Sequence, residues 1–299
     1  MSIEETIEKS ANRVASSEFV QPGNLYVVAT PIGNLADISQ RALEVLRNVD
    51  MIAAEDTRHS ARLLQHYHIS SKTLPLHDHN ERDRAPDLVS RMSQGKSVAL
   101  ISDAGTPLIS DPGFHLVRLA RESGIPVVPV PGASAMLAAL SAAGLPSDRF
   151  VFEGFLPTKS AARQKKLEAM VDETRTAIFY EAPHRVLGTL TDMAKVYGES
   201  RHVVLARELT KTFETIKGDT VAALLQWVNS DPDQQKGEIV LLVKGMGADN
   251  SEEVTAEAQR VLKLLLAELP LSQASALAAK ITGGKKKPLY QLGLSLAGQ

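Results

Sequence analysis

The chain has 299 residues, 43% hydrophobic and 23% charged, with a formal net charge of −2 and no cysteine. That length suggests two domains with cores of ordinary size. The near-neutral charge excludes a bulk electrostatic footprint for nucleic acid, and the missing cysteines exclude disulfides and thiolate metal sites. No apolar run reaches the roughly 18 residues of a membrane span. A reducing cytoplasm is the expected setting.

Residues 1–22 are acidic and lack a basic segment followed by an apolar one, so they read as a disordered tail rather than a secretory signal. Leu25-Tyr26-Val27-Val28-Ala29 is an expected buried strand, followed by the loop Thr30 to Leu35. Asp37-Ile38-Ser39-Gln40 reads as a capping box for a helix from Arg41 to Asn48. Met51-Ile52-Ala53-Ala54 is a second strand, ending in Glu55-Asp56-Thr57-Arg58, and Thr73 to Leu76 is a third, running into His77-Asp78-His79-Asn80.

A fourth strand, Val98-Ala99-Leu100-Ile101, breaks at Ser102-Asp103-Ala104-Gly105-Thr106-Pro107. Gly105 permits a positive-φ turn and Pro107 removes an amide donor. Asp111-Pro112 reads as N-cap and first position of a helix from Phe114 to Glu122, closed by Gly124. A strand from Pro126 to Val130 follows. Strands alternating with helices predict a parallel sheet with crossover connections, and ligands of such sheets bind at strand ends.

The pattern predicts an α/β protein with an N-terminal domain over residues 23–138 and a linker over 139–149. A second α/β domain over 150–247 has strands at Phe150, Thr176 to Tyr180, His202 to Ala206, Phe213 to Ile216 and Glu238 to Val243. Its closer strand spacing predicts a mixed sheet. Residues 251–299 form a helical appendage, with apolar stripes at Val254, Ala258, Val261, Leu262, Leu265 and Leu269, then at Leu271, Ala274, Ala278 and Ile281.

Several chemistries lack their motif. Thr30 to Leu35 holds one glycine rather than the G-x-G-x-x-G of a dinucleotide site, and no G-x-x-x-x-G-K-[ST] or G-x-S-x-G occurs. His77 and His79 form a two-histidine pair with no third convergent ligand, so no metal site is expected.

The ordered set LYVVATPIGNLAD, AAEDTRH, LHDHNE, LISDAGTPLISDPG, VPGAS, FYEAPHR, ARELTKTFE and KGEIVLLV resembles the tetrapyrrole methylase superfamily from about Asn24 onward. It is most similar to the branch that methylates a cytidine ribose 2′-oxygen in small-subunit ribosomal RNA. The resemblance implies S-adenosylmethionine as cofactor, held in a cleft between the two α/β domains. By position, Pro31, Asp103, Ala104, Gly105, Pro107, Ser134 and Ala135 would line one wall, and Tyr180, Leu209 and Glu238 the other. Asp103 either accepts from the amino-acid ammonium or caps its own turn, and Tyr180 either packs the adenine or belongs to the core.

The implied partner is small-subunit ribosomal RNA or the assembled small subunit, and the implied assembly is a homodimer. Arg58, Arg185, Arg207 and Lys211 are candidates for RNA phosphate, with salt bridges or a solvated face as the alternative. Lys285, Lys286 and Lys287 open a helix after a glycine turn, an arrangement similar to a helix-turn-helix on nucleic acid. For proton removal the expected groups are His77 and His79, where an imidazole beside a carboxylate titrates near neutrality, and then Glu181. Two other readings stay open: methylation of a tetrapyrrole or other small molecule, and an inactive RNA- or ribosome-binding protein.

Overall fold

The computed structural model describes residues 20–247 and 256–297. The chain divides into two compact units, Met1–Met246 and Gly247–Gln299. Most of the expected tail, and Val254 of the first appendage stripe, lie outside the described residues. Val20 already packs against the first core, and the Gln21 amide donates to the Tyr26 hydroxyl at 2.7 Å.

The first sheet has the order β3-β2-β4-β1-β5, with β1 Leu25–Val28, β2 Met51–Ala54, β3 Lys72–Pro75, β4 Val98–Ile101 and β5 Val127–Val130, all parallel. The helices between them are α1 Gln40–Asn48, α2 Thr57–His66, α3 Glu81–Ser93 and α4 Phe114–Glu122. Strand side chains alternate between faces. Tyr26, Val28, Ile52, Ala54, Ala99 and Ile101 therefore meet α1 and α2 through Leu43, Leu46 and Leu64. Leu25, Met51, Ala53, Val98 and Leu100 point the other way, to Leu88 and Met92 of α3 and Leu116 of α4. Burial on both faces explains why these strands read as unbroken apolar runs.

Helix ends differ from expectation at two points. Ser39 rather than Asp37 caps α1, accepting from the Ala42 amide at 3.1 Å, because Asp37 is taken up in a 3-10 turn over Leu35–Asp37. The N-cap of α4 is Gly113, at φ 126°, and not Asp111-Pro112. A Cβ at Gly113 would lie 2.7 Å from Leu100 Cδ2, so the chain enters α4 pressed against β4.

The second sheet has the order β6-β7-β10-β8-β9, with β6 Phe150–Phe155, β7 Thr176–Glu181, β8 His202–Arg207, β9 Thr215–Thr220 and β10 Ile239–Val243. Only the β6–β7 pair is parallel, so the sheet is mixed, as the strand spacing predicts. Helices α6 Ser160–Glu168, α7 Val186–Tyr197 and α8 Val221–Ser230 cover one face, through Leu167, Leu190, Met193, Leu224 and Val228.

The opposite face is covered differently. Ile178, Val204, Ala206, Val240 and Leu242 meet Ala139 and Leu140 of α5 (Ala135–Ala142) together with Ile32 from the loop after β1. The boundary expected at 138/139 thus falls inside a helix, and the expected linker 139–149 begins with buried residues of the second core. Both sheets belong to one unit because they share this core.

The C-terminal unit, described by itself, has three helices: α9 Ala256–Leu266, α10 Leu271–Thr282 and α11 Lys286–Ala297. Ala258, Leu262, Ala274, Ala278 and Leu289 form its core. Gly283 ends α10 in the left-handed region, at φ 71°, as a glycine C-cap does. A Cβ at Gly293 would collide with Leu271 Cδ1, so α10 and α11 approach closely.

Among the described residues, no helix is long and apolar enough to cross a membrane.

One buried charge pair joins α6 to α7. Arg163 Nε lies 2.6 Å from Asp192 Oδ2, with side chains 7% and 6% exposed. Burial alone would raise the Asp192 pKa, but hydrogen bonds from Gln164, Arg163 and Ser160 outweigh it and the net shift is downward. The carboxylate then stabilises the fold at neutral pH, and that contribution is lost as pH falls through the depressed value. Asp192→Ala is expected to cost about 3–5 kcal/mol in denaturant unfolding at pH 7, since Arg163 is left buried and unpaired. The difference from wild type shrinks at acid pH; an equal cost at both pH values would show that charge pairing is not the cause.

Candidate active site

The order β3-β2-β4-β1-β5 places a switch in connection direction between β4 and β1, where open parallel sheets hold their ligands. Immediately beyond these two strands the chain makes an isolated antiparallel bridge. The Thr30 amide donates to the Gly105 carbonyl at 2.8 Å, and the Gly105 amide to the Thr30 carbonyl at 3.0 Å. Gly105 sits at φ +83°, and a Cβ there would meet Ile32 Cγ2 at 3.3 Å. The bridge turns the two loops toward the second sheet.

A cavity of about 330 Å³ opens there. Ile32, residues 104–106 and 109–111, Ser134 and Ala135 line it from the first sheet's loops, and Phe155, residues 180–183, Leu209 and residues 238–240 from the second sheet's strand ends. Both flanking loops hold non-glycine residues at positive φ: Leu108 at 73° and Ser110 at 67° on one side, Glu208 at 51° and Thr210 at 66° on the other. Each such residue costs about 1–3 kcal/mol, so the surrounding structure must hold these loops in place. A Cβ at Gly154 of β6 would lie 3.1 Å from Ser110 Oγ, which places the first loop against the second sheet.

Of the expected cofactor residues, Ala104, Gly105, Ser134, Ala135, Tyr180, Leu209 and Glu238 line the cavity, whereas Pro31, Asp103 and Pro107 are not among its lining residues. Asp103 Oδ1 accepts from the Asp56 amide at 3.1 Å and so ties its loop to the entry of α2. Tyr180 lines the cavity, and its ring meets Phe152 and Phe155 edge-on at centroid distances of 4.9 and 5.7 Å.

The expected proton acceptors are placed differently. His77 and His79 are not among the lining residues; His77 Nε2 lies 3.1 Å from Asn80 Nδ2, and the His77 amide donates to Asn80 Oδ1 at 2.9 Å. Glu181 does reach the cavity but is fully engaged. Its Oε1 accepts from the Ala182 amide at 2.8 Å, its Oε2 accepts from the Thr189 hydroxyl at 2.5 Å, and Arg185 Nε pairs with it at 3.1 Å.

The expected RNA-facing arginines are mostly drawn into the fold. Arg185, 14% exposed, pairs with Glu181 and donates to the Leu156 carbonyl. Arg207, 7% exposed, donates to Gln234, the Phe213 carbonyl and Thr215. Lys211 bridges Glu208 at 2.8 Å and Glu238 at 3.0 Å. Arg58 is 90% exposed and pairs with Asp56. In the C-terminal unit Lys285, Lys286 and Lys287 are all exposed at the start of α11, with Lys286 Nζ 3.3 Å from Ser272 Oγ.

Sequence reasoning missed Asp111, which it assigned to a helix cap. The structure places it on the cavity wall. Burial, with Asp103 and Asp78 nearby, outweighs a hydrogen bond from Ser102 and pushes its pKa up to about 6. Glu55, beside the same acidic groups, is also raised, mainly by burial. The only available signal was the motif's two acidic positions eight residues apart, which does not say which one turns inward.

The cavity fits S-adenosylmethionine by the chemistry of its donors. Three carboxylates line it, Asp111, Glu181 and Glu238, and no lysine, arginine or histidine is among its described lining residues. A phosphate-bearing cofactor would find no cation there, whereas a sulfonium and an ammonium suit carboxylates and the aromatic faces of Tyr180 and Phe155. The N-terminus of α5 at Ser134, with no side chain capping it, leaves amide donors suited to a carboxylate.

Glu181→Ala should act on stability before chemistry. Removing the carboxylate leaves Arg185 facing inward without its partner, an expected loss of about 3–5 kcal/mol in denaturant unfolding. A variant of wild-type stability would return Glu181 to the candidate proton acceptors.

Comparison with known proteins agrees with this geometry. The family Tetrapyrrole (Corrin/Porphyrin) Methylases matches residues 24–225, and the RsmI C-terminal HTH domain matches residues 252–297. Ribosomal RNA small subunit methyltransferase I of Pseudomonas aeruginosa is 62% identical over 278 residues, 93% of this chain and 99% of that protein. The protein of the same name from Haemophilus influenzae is 58% identical over 91% of this chain and 97% of its own length. Among solved structures, uroporphyrin-III C-methyl transferase from Thermus thermophilus complexed with S-adenyl homocysteine shares the fold, with a TM-score of 0.51 and 13% identity over 74% of this chain and 97% of that one. The chain belongs to the tetrapyrrole methylase family, in the branch that contains ribosomal RNA small subunit methyltransferase I.

Proposed function

We propose that this protein transfers a methyl group from S-adenosylmethionine to the 2′-oxygen of a cytidine ribose in small-subunit ribosomal RNA. The observation that carries the chemistry is the cavity at the β1/β4 switch, lined by carboxylates and aromatic rings and, among described residues, by no cation. The similarity of nearly the whole chain to proteins named for that RNA supports the substrate. A cytoplasmic location and a homodimer belong to the same reading, and sedimentation of the purified chain tests the second.

When bound, the cofactor supplies an electrophilic methyl group on a sulfonium. The chain's own part is placement. Gly105 lets the backbone come close to the ligand, Tyr180 and Phe155 give it apolar faces, and the N-terminus of α5 offers amide donors. Leu209 and Ile239, both buried, help exclude water from the reacting atoms. Methyl transfer is an in-line displacement, so holding a ribose oxygen on the axis of the breaking bond accounts for a large part of the rate.

Labelled methyl donor should mark a ribose-methylated nucleotide when incubated with small subunits or their RNA, and leave a porphyrinogen unlabelled. Gly105→Val should abolish donor binding in calorimetry while the protein stays folded, because a branched side chain resists φ +83° and crowds Ile32. Label in the porphyrinogen alone would replace the RNA reading with small-molecule methylation. Donor bound without transfer to any acceptor would favour an RNA- or ribosome-binding role.

The exposed lysines of the C-terminal unit give a separate expectation. Changing Lys285, Lys286 and Lys287 to Glu should weaken RNA binding and lower the slope of log affinity against log salt by about 0.7 per lost phosphate contact. Donor affinity should not move, since the cavity lies in the other unit. An unchanged slope would assign these lysines to solubility.

A further inference from the structure

The first turns of α3 and α4 are tied by a buried bond. Glu81 opens α3, is 3% exposed, and accepts from the Leu116 amide of α4 at 2.9 Å. A carboxylate there satisfies a first-turn amide and suits the positive end of the α4 dipole. Beside this tie, side chains of both helices form a row. Arg82 Nε donates to His115 Nε2 at 3.3 Å. The His115 ring meets Phe114 edge-on, with centroids 5.5 Å apart. The Arg118 guanidinium lies over the Phe114 ring, 5.9 Å from its centroid.

The row is organised yet open. Phe114 remains 58% exposed. Among the described residues Arg82 has no carboxylate partner; of the acids beside it in sequence, Glu81 turns to α4 and Asp83 is exposed. Arg118 meets Glu122 only at 3.6 Å with both side chains more than half exposed, a weak surface pair. No other large apolar side chain of α3 or α4 is exposed. A single ring between two guanidinium groups is not the apolar centre that a protein partner needs. It has the composition of a surface for single-stranded RNA, where a base stacks on an aromatic ring and cations meet phosphates. The row is also continuous with the cavity. Residues 109–111 line that cavity, and Phe114 follows Asp111 by three positions, about 11 Å of chain at most.

We propose that the row Arg82, His115, Phe114 and Arg118 holds the RNA strand flanking the target cytidine, a role that rests on the proposed 2′-O-methylation. A base near the target stacks on Phe114, and Arg82 and Arg118 meet the phosphates of that strand. Anchoring the strand so close to the cavity limits where the target ribose can lie. That restriction helps to place its oxygen on the axis of the displacement.

Binding of small-subunit ribosomal RNA by the full chain tests the row. Phe114→Ala is expected to weaken it about 5-fold or more, Phe114→Trp to retain it, and Phe114→Leu, apolar but without a flat ring, to lose it as Ala does. Arg82→Gln and Arg118→Gln should each lower the slope of log affinity against log salt by about 0.7. Arg91→Gln serves as the control, since Arg91 lies at the far end of α3 and pairs with Asp87, and its slope should match wild type. Single-turnover methyl transfer by the Phe114 and arginine variants should fall at limiting RNA and recover at saturating RNA, with donor affinity by calorimetry unchanged. Wild-type affinity in Phe114→Leu, or an equal loss of slope in Arg91→Gln, overturns the proposal. A changed sedimentation of Phe114→Ala overturns it too and assigns the ring to a contact between copies of the chain. If wild type labels a ribose oxygen and the Phe114 and arginine variants bind RNA as it does, the proposed function stands and this role falls. Wild type that labels no ribose oxygen overturns both.

Discussion

The paired amide–carbonyl bonds between Thr30 and Gly105, 2.8 and 3.0 Å long, are the constraint on which the site depends. They form just where β1 and β4 end, at the place where the sheet's connections reverse direction. Without them the two loops would leave neighbouring strands as separate, solvated segments. With them the loops leave as a tied pair and carry Ile32 and residues 104–111 to the second sheet. Gly105 is needed because the bridge sets its φ at +83°, which side chains resist, and because Ile32 occupies the space beside it.

The shared core turns this local tie into a two-sided cavity. Helix α5 starts at the cavity with Ser134 and ends buried against β7 and β10 through Ala139 and Leu140. Ile32 packs into the same cluster. The second sheet therefore does not simply sit beside the first; one of its faces is completed by residues from the first sheet's connections. Non-glycine residues at positive φ on both flanking loops are tolerated because packing from two directions fixes them.

Charge inside the first unit is arranged by pairing. Arg185 and Arg207 look on paper like cations at strand ends, yet each is spent on internal carbonyls or a carboxylate. Lys211 neutralises Glu208 and Glu238 at the cavity rim. What remains unbalanced is the acidic set at the ends of β2, β3 and β4, where burial, with Asp78 and Asp103 nearby, raises the proton affinity of Glu55 and Asp111. A cavity with that bias attracts a cationic ligand. The exposed lysines at the start of α11 belong to a different unit.

Sequence alone determined the elements whose signal is local. The apolar run Val98–Ile101 is β4, Phe114–Glu122 is α4, the first sheet is parallel and the second mixed, because periodicity, breakers and strand spacing are properties of neighbouring residues. The ordered motifs also carried the family, since a whole series of short matches in one order is far more specific than any single match. Tertiary structure decided what depends on a distant partner. Asp111 is a wall of the cavity and not a cap because Gly113 packs on Leu100, and Asp103 is held by the Asp56 amide, 47 positions earlier. The boundary at 138 dissolved because the second core claims the end of α5. Arg185 and Arg207 turned inward: Glu181 stands only four positions from Arg185, but the Leu156 carbonyl and Gln234 that complete the two sets of hydrogen bonds lie 29 and 27 positions away, beyond any short window.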